Sequence, residues 1–384
     1  MFPTLGHLIN YLFGTNIIFP MPTYGFVLVM AFVSSGIILQ QALKRKERQG
    51  ILSSHKEDIL ISGPINYSDI IVSGIFYFII GFKIIGIIID YDIFTKDINE
   101  YIFSTQGSVI AGIVSAMIGA GLGYLQAKKK FSIKEIFESR DIFPHQLTIN
   151  IVMIAMLSGI IGAKFFDILE NFSSFMKDPM AAIFSAGGFT FYGGLVAGTF
   201  SVLYYVRKKN IDALTFMDAG APAILGAYAV GRMACMLSGD GCWGIPNPDP
   251  KPELLAMIPD WLWAFDFPHN VINEGSKIMS CDGSYCHQLD VPVFPTPLYE
   301  SILSTMFFLF VWFLQNKVKA AGVIFFTAIM LNGFARFFIE KIRVNNVYEI
   351  GNNNITQAEI ISSLLVIIGI AGIFVLSKLH KNKA

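Results

Sequence analysis

The sequence predicts an all-α polytopic membrane protein of about nine transmembrane helices, and three observations carry that expectation. Hydrophobic residues make up 54% of the 384 residues. Charged residues make up only 15%, against about 25% in a typical globular domain. The charges that remain collect in short clusters between long apolar runs. An ordinary soluble enzyme is excluded by this balance. Lys and Arg together number 28, as do Asp and Glu, and this zero net charge says nothing about partners because the charges are segregated along the chain; the apolar composition makes membrane lipids, and no nucleic acid, the expected surroundings.

A spanning helix needs roughly 20 mostly apolar residues. In chain order the candidates are Tyr24–Leu43, Ile70–Asp90, Gly107–Gln126, Leu147–Leu169, Phe189–Val206, Ala219–Leu237, Pro297–Leu314, Gly322–Ile342 and Ile360–Leu376. The first twenty residues lack a basic n-region and a small-residue cleavage site, so the first apolar run is expected to stay as a spanning helix. The whole chain, 1–384, reads as a single transmembrane domain.

Basic residues collect in cytoplasmic loops. With the N-terminus outside, the inner segments hold Lys44, Arg45, Lys46, Arg48, Lys56, Lys128, Lys129, Lys130, Lys134, Arg140, Arg207, Lys208, Lys209, Lys317, Lys319, Lys378, Lys381 and Lys383. The outer segments hold only Lys96, Lys177, Lys251, Lys277 and Arg343. The bias alternates correctly at every loop, which predicts an outer N-terminus and an inner C-terminus.

The longest connection, Ser238–Phe294, is outer and rich in Pro, Trp and Asp. Its stretch from Trp261 to Pro268 suits either an interfacial aromatic belt or a substrate-shaping role. Cys281 and Cys286 sit in this loop, on the oxidising side where a small disulfide is expected, although sequence alone leaves their connectivity open. Of the four Cys and six His, none form a tight cluster with zinc-ligand spacing, and no metal site is expected. A faint internal repeat is also visible: Gly81-Phe82-Lys83 with Gly107 to Gly112 echoes Gly162-Ala163-Lys164 with Gly193 to Gly198.

Ionisable residues inside spans cost on the order of 2.5–3.5 kcal/mol each on insertion scales, so each is a functional hypothesis. Asn332, Arg336, Glu340 and Arg343 follow one another at offsets of four, four and three, which puts them on one helix face. The bland reading of that face is a structural Arg–Glu pair. Gly231-Arg232 is followed by Ser238-Gly239-Asp240-Gly241-Cys242-Trp243-Gly244, an Arg-bearing helix that breaks into a Gly-rich turn able to present N–H groups to an anion.

On the predicted topology these groups converge on the outer leaflet. Tyr24 opens the first span from outside, Tyr192-Gly193-Gly194 the fifth, and Thr296-Pro297-Leu298-Tyr299-Glu300 the seventh, while Thr356-Gln357-Ala358-Glu359 leads the last helix inward. Lys83 and Lys164 are exceptions, read as snorkelling or locally paired. Two arginines in low dielectric, each a planar fork, suit a phosphate or phosphodiester. At that depth the phosphate belongs to a phospholipid headgroup, with carboxylates and tyrosines beside it for proton work.

These residues resemble the prolipoprotein diacylglyceryl transferase family over most of the chain. That family's pattern runs Gly-Arg, then Asn-Phe-x-Asn-x-Glu, then Gly. Here Gly231-Arg232, Trp243 and Gly244 fit it, with Asp240 at the Glu position, and Tyr24-Gly25, Tyr192-Gly193-Gly194, Pro295 to Glu300, Gly333 to Arg343 and Thr356-Gln357 fall in matching order. The chain departs from the pattern at Cys235 and Ser238, where Asn is commoner, at Tyr192 in place of His, and at Asn332 in place of Tyr. The resemblance implies a core of seven spans, so residues 70–126 read as an added helix pair. It implies transfer of a diacylglyceryl group from phosphatidylglycerol to the lipobox Cys thiol of a prolipoprotein signal peptide, in the bacterial cytoplasmic (inner) membrane, with no metal or cofactor. Arg232, Arg336, Tyr192, Asp240 and Glu340 would be catalytic; Tyr24, Gly193, Gly194, Gly244, Thr296, Tyr299, Asn332, Arg343 and Gln357 would bind substrate. The base would be Tyr192, Asp240 or Glu340, unless none is needed. The competing reading is a transporter of an anionic solute, which would place its site near the midplane between repeats.

Overall fold

The structure is a computed structural model that describes every residue except 18, 92–93, 95–100, 102–103, 186–187, 280, 282, 345–346, 351–352 and 383–384. Lys96 and Lys383, assigned above to an outer and an inner segment, lie outside the described residues. Among the described residues, eight helices are long and apolar enough to cross a membrane: Thr23–Arg48, Tyr67–Ile89, Val109–Lys129, Pro144–Glu170, Ala213–Ser238, Thr296–Leu314, Val323–Glu340 and Gln357–Lys381. The protein is a multi-pass membrane protein. The expected ninth span forms a helix, Phe191–Lys208, that is not among the eight. Its 18 residues include Arg207 and Lys208, and Gly193, Gly194 and Gly198 stand where larger apolar side chains would raise its hydropathy.

The elements are α1 (Leu5–Phe13), α2 (Thr23–Arg48), β1 (His55–Ser62), α3 (Tyr67–Ile89), α4 (Val109–Lys129), β2 (Ile136–Ile142), α5 (Thr148–Glu170), α6 (Phe172–Lys177), α7 (Pro179–Phe184), α8 (Phe191–Lys208), α9 (Ala213–Ser238), β3 (Ser276–Lys277), β4 (His287–Gln288), α10 (Thr296–Leu314), α11 (Val323–Glu340), β5 (Val347–Ile350), β6 (Asn353–Thr356) and α12 (Gln357–Lys381). The strands form three two-stranded antiparallel ladders in loops, which the span pattern does not foresee. The chain divides into two compact units: Met1–Ser53, Pro144–Met153 and Val202–Ala384 form one, and Ser54–Phe143 with Ile154–Ser201 the other.

In the first unit α9 is the central helix. It packs on α2, α10 and α11, and α11 packs on α12. Ala221, Leu225, Val311, Ile324 and Ala328 form the dry centre of this bundle. Ser301 and Ser304 of α10 donate to the carbonyls of Ala229 and Leu225 on α9, both at 2.8 Å. Such bonds suit small polar residues at helix contacts in lipid.

The end of the bundle away from the arginines is tied by Asp218 of α9, which is 1% exposed. Its carboxylate accepts from the N–H groups of Gly322 at 2.8 Å and Phe325 at 2.9 Å, so α11 takes its N-terminal cap from a neighbouring helix. The carbonyl of Asp218 accepts from Gln315 at 2.9 Å. Lys46 of α2, expected in an inner loop, instead points at this carboxylate from 3.8 Å and is buried.

At the other end of α9 the 239–295 connection folds on itself. Met236, Trp243, Phe267, Leu289, Val293 and Leu298 make its core. The aromatic stretch is therefore largely internal: Phe267 is fully buried against Trp243, Trp263 donates to the Asp249 carbonyl at 3.0 Å, and Trp261 is the ring left exposed. Cys281 and Cys286 form the expected disulfide.

The second unit contains two helix pairs in close contact. In the first, α3 meets α4, and a Cβ on Gly81 or Gly119 would overlap Ser115 or Tyr77. In the second, residues 154–170 of α5 meet residues 191–201 of α8, and a Cβ on Gly193 would lie 2.5 Å from the Gly162 carbonyl oxygen. Each pair has a lysine at the matching place. Lys83 donates to the carbonyls of Tyr101, Ser104 and Gln106 at 2.6–2.9 Å, and Lys164 donates to the Ser185 hydroxyl at 2.7 Å. Both lysines are locally paired, as expected. Gly193→Val is expected to force the α5–α8 contact apart at a cost of about 1–3 kcal/mol. A lower thermal unfolding temperature in detergent checks it; an unchanged one overturns the packing role.

Candidate functional site

Arg232 lies in the last third of α9 and Arg336 in the last turns of α11, and both aim at a residue on the second turn of α10. That residue is Glu300, 5% exposed. Arg336 Nη1 donates to Glu300 Oε1 at 2.8 Å, and Arg343 Nη1 reaches the same oxygen at 3.3 Å. Arg232 pairs with Glu300 Oε2 through Nε, and the same nitrogen donates to the Tyr228 hydroxyl at 3.0 Å. Tyr228 in turn donates to Glu300 Oε2 at 3.1 Å. Arg336 Nη2 sits 3.0 Å from Glu340 Oε2 one turn further along α11.

Three guanidiniums thus converge on Glu300, with Glu340 holding the outer edge of one of them. The cluster of Arg232, Arg336, Arg343, Glu300 and Glu340 carries one positive charge in excess. The arginine side chains are 15–25% exposed and the carboxylates 0–4%, so the free donor capacity is on the arginines. A buried, pre-paired set of planar donors is suited to bind an anion bidentately. A cavity of about 20 Å³, the size of one water, lies beside it between Tyr228, Glu300, Ser304, Asn332 and Arg336.

Arg343 arrives by a different route from the one the offsets predicted. α11 ends at Glu340 and Lys341 is its C-cap, so Arg343 lies beyond the helix. Its backbone bridges to Gly244, and Ile245 N donates to the Ile342 carbonyl at 2.9 Å. A Cβ on Gly244 would lie 2.4 Å from that same carbonyl oxygen. Gly244 is thus explained by the close approach of two backbones, and through it the position of Arg343 is set.

Beside the arginines the chain turns sharply. Gly239 (φ 67°) ends α9, donating to the Cys235 carbonyl at 3.0 Å, and Gly241 (φ 87°) turns again. Only residues at ease with positive φ serve there. The double turn folds Cys242 back onto Cys235, and Asp240 Oδ1 accepts from Cys242 N at 3.2 Å. The ligand atoms of Cys235, Asp240 and Cys242 all lie within 4.8 Å of one another. Spacing along the chain keeps these residues apart, and the two glycines bring them together. A hydrogen bond from Cys235 holds the Cys242 thiol below the usual thiol range, helped by Arg232 and Arg343 and opposed by burial and by Asp240. Tyr24 of α2 interacts electrostatically with all three residues and with Arg232.

The remaining expected site residues have structural explanations. Thr296 is fully buried and donates to the Cys242 carbonyl at 3.0 Å. Tyr299 donates to the Leu262 carbonyl. Thr356 and Glu359 form a capping box that starts α12, and Gln357, at its first position, is exposed. Glu359 is paired with Lys341. Tyr192, Gly193 and Gly194 belong to the second unit, where both glycines serve the α5–α8 contact. Glu300 and Tyr228 were missed as site residues. An acid within an apolar span and a Tyr one turn before Arg232 were the available signals.

Residues 114–375 match the prolipoprotein diacylglyceryl transferase family. The chain is 31% identical over 267 residues to a phosphatidylglycerol–prolipoprotein diacylglyceryl transferase of Clostridium botulinum (strain Loch Maree / Type A3), covering 69% of this chain and 91% of that one. It is 30% identical over 273 residues to the protein of the same name from C. botulinum (strain Hall), covering 71% and 93%. A Leptospira interrogans protein of the same name is 27% identical over 219 residues, 51% of this chain and 61% of its own length. With the match extending over most of the sequence and over the arginine cluster, the chain belongs to the prolipoprotein diacylglyceryl transferase family.

Proposed function

We propose that this protein transfers the diacylglyceryl group of phosphatidylglycerol to the lipobox Cys thiol of a prolipoprotein signal peptide, forming a thioether and releasing glycerol phosphate. The observation that carries this reading is the convergence of Arg232, Arg336 and Arg343 on Glu300. The names of the relatives support it, and no observation favours a transporter. The thiol must ionise to attack the glyceryl carbon, and the leaving phosphate ester gains negative charge as the C–O bond breaks. Arg232 and Arg336, with Arg343 beside them, stabilise that charge; donors fixed in advance in low dielectric are a large source of rate. Glu300 and Glu340 hold the arginine planes so that no reorganisation is needed when the charge develops.

The distribution of basic residues supports an outer N-terminus, an inner C-terminus and an active site toward the outer leaflet of the bacterial cytoplasmic (inner) membrane. The 70–126 helix pair is read as an addition to the family core. Tyr24, Gly244, Thr296, Tyr299, Asn332 and Gln357 shape the lipid site or its support.

Thiol activation is assigned to the corner of Cys235, Asp240 and Cys242 rather than to Tyr192 or Glu340. Glu340 is committed to Arg336. The test is transfer of labelled diacylglyceryl from phosphatidylglycerol, against phosphatidylethanolamine, to a lipobox peptide in membranes. Transfer from phosphatidylglycerol alone is expected. Tyr192→Phe is expected to keep transfer within about 10-fold, and Asp240→Asn to lose about 10²–10⁴-fold, the range of acid–base assistance. The reverse order would return the base to Tyr192, and no transfer by the unaltered protein would overturn the reading.

A further inference from the structure

The turn that ends α9 brings two free thiols together beside the arginine cluster. We infer that Cys235 and Cys242 are a reversible oxidation site: a small-molecule disulfide closes them into a disulfide of their own, and closure shuts transfer off. The inference rests on the transferase reading, because the site it regulates is the one that activates the acceptor thiol.

The geometry carries it. Cys235 is buried on the last turn of α9, and Cys242 is half-buried just past the reversals at Gly239 and Gly241. Their sulfurs lie within 4.8 Å of one another and of an Asp240 oxygen, and Cys235 hydrogen-bonds to Cys242. The backbone between them is held from outside. Val271 N donates to the carbonyls of Ser238 and Gly239 at 3.2 Å, and a Cβ on Gly239 would lie 2.9 Å from Asn270 Cβ. The Thr296 hydroxyl holds the Cys242 carbonyl. Bonded sulfurs sit about 2.05 Å apart, so each needs to move by about 1 Å over a turn that is already in place. Two groups held this way react at a high effective concentration.

The two thiols differ in a way that gives each its own step. Cys235 is 6% exposed, whereas Cys242 can be reached and its thiol is held below the usual range, helped by Arg232 and Arg343. Disulfides are attacked by thiolates. Cys242 Sγ, its proton passed to water, attacks one sulfur of the oxidant; the oxidant's S–S bond breaks and one half leaves as a thiolate. Cys235 then gives its proton to the neighbouring Asp240 carboxylate and attacks Cys242 Sγ. The second half of the oxidant leaves as a thiolate and takes up that proton. Two protein thiols are oxidised, and one disulfide is reduced to two thiols. The closed pair has no proton to give or take, and it cross-links the turn where the acceptor thiol is activated. Cys281 and Cys286 in the same connection are already joined, so this part of the chain folds where cysteines are oxidised.

The test treats the full chain in detergent with oxidised glutathione, removes the oxidant, and only then adds the lipobox peptide. Free thiols are located by maleimide labelling after denaturation. Cys235 and Cys242 are expected to label before treatment and neither after it, and a mild dithiol should restore both. Cys235→Ser is expected to keep one glutathione on Cys242 as a mixed disulfide. Cys242→Ser is expected to keep none and to leave Cys235 labelled. Initial transfer by the oxidised chain should fall at least about 10-fold, the lower end of lost proton-transfer assistance, and should return with the dithiol. In Cys242→Ser the treated and untreated rates should be equal, whatever that variant's own rate. A pair that stays labelled after treatment, glutathione held on Cys235 in preference to Cys242, or a closed disulfide with unchanged transfer would each overturn the inference. Failure of the transferase reading shows separately: the reduced chain transfers no lipid while the labelling pattern stays as described.

Discussion

Arg336→Ala is expected to lower diacylglyceryl transfer about 10²–10³-fold, the scale set by removing one pre-organised donor from a developing negative charge. Arg232→Ala is expected to do the same. The reasoning is geometric. Arg336 spends Nη1 on Glu300 at 2.8 Å and Nη2 on Glu340 at 3.0 Å, which fixes its plane while it remains 25% exposed and able to meet an incoming phosphate. Arg336→Lys should not rescue, because one ammonium cannot span both carboxylates and still present a fork to the lipid. The measurement is the transfer assay at matched amounts of membrane-inserted protein. Full activity in either Ala variant sinks the phosphate clamp. A loss confined to KM for phosphatidylglycerol would instead mark ground-state binding.

Glu300→Ala carries the largest expected effect on stability. It leaves Arg232, Arg336 and Arg343 facing one another with Glu340 as the remaining partner in the cluster, and it strips the Tyr228 hydroxyl of its acceptor. Removing one member of a buried ionic set costs about 3–5 kcal/mol, because the partners stay behind uncompensated. Glu300→Gln keeps the shape and an acceptor oxygen and should cost less. The double variant Glu300→Ala with Arg336→Ala should recover part of the loss, since it removes one repelling charge. Thermal unfolding in a single detergent reads all three. An unchanged melting point for Glu300→Ala would mean that the arginines find other partners at no cost, and the cluster would lose its claim to be pre-organised.

Much of this was legible along the chain. Apolar runs of spanning length gave eight helices correctly because lipid demands internally satisfied backbone, and length and hydropathy then determine the element. The ninth run also forms a helix, and its glycines and basic end dilute an otherwise apolar composition. Arg232, Arg336, Glu340 and Arg343 were visible because each violates the apolar rule. Glu300 obeys the same logic but sits near the start of its helix, where an acid reads as a solvated end, so its burial was hidden until α9 and α11 closed over it. The Cys235–Asp240–Cys242 corner was illegible because it depends on two consecutive reversals at Gly239 and Gly241. The polar residues at Thr356 and Glu359 form a capping box, a role that looks the same in sequence as a ligand motif at a helix start.

Asp218 has a consequence for depth. Fourteen residues separate Asp218 from Arg232 along α9, and fourteen separate Gly322 from Arg336 along α11. The Asp218 carboxylate is bonded to Gly322, so the two helices share a common zero. At about 1.5 Å per residue, both then climb about 21 Å before presenting an arginine. Asp218 works as a datum peg: two helices measured from one mark deliver their charges at one level. A helical insertion of a single residue between peg and arginine, in either helix, would lift that arginine by about 1.5 Å and rotate it by about 100°. Single-residue insertions there should therefore disable transfer while leaving the chain spanning the membrane.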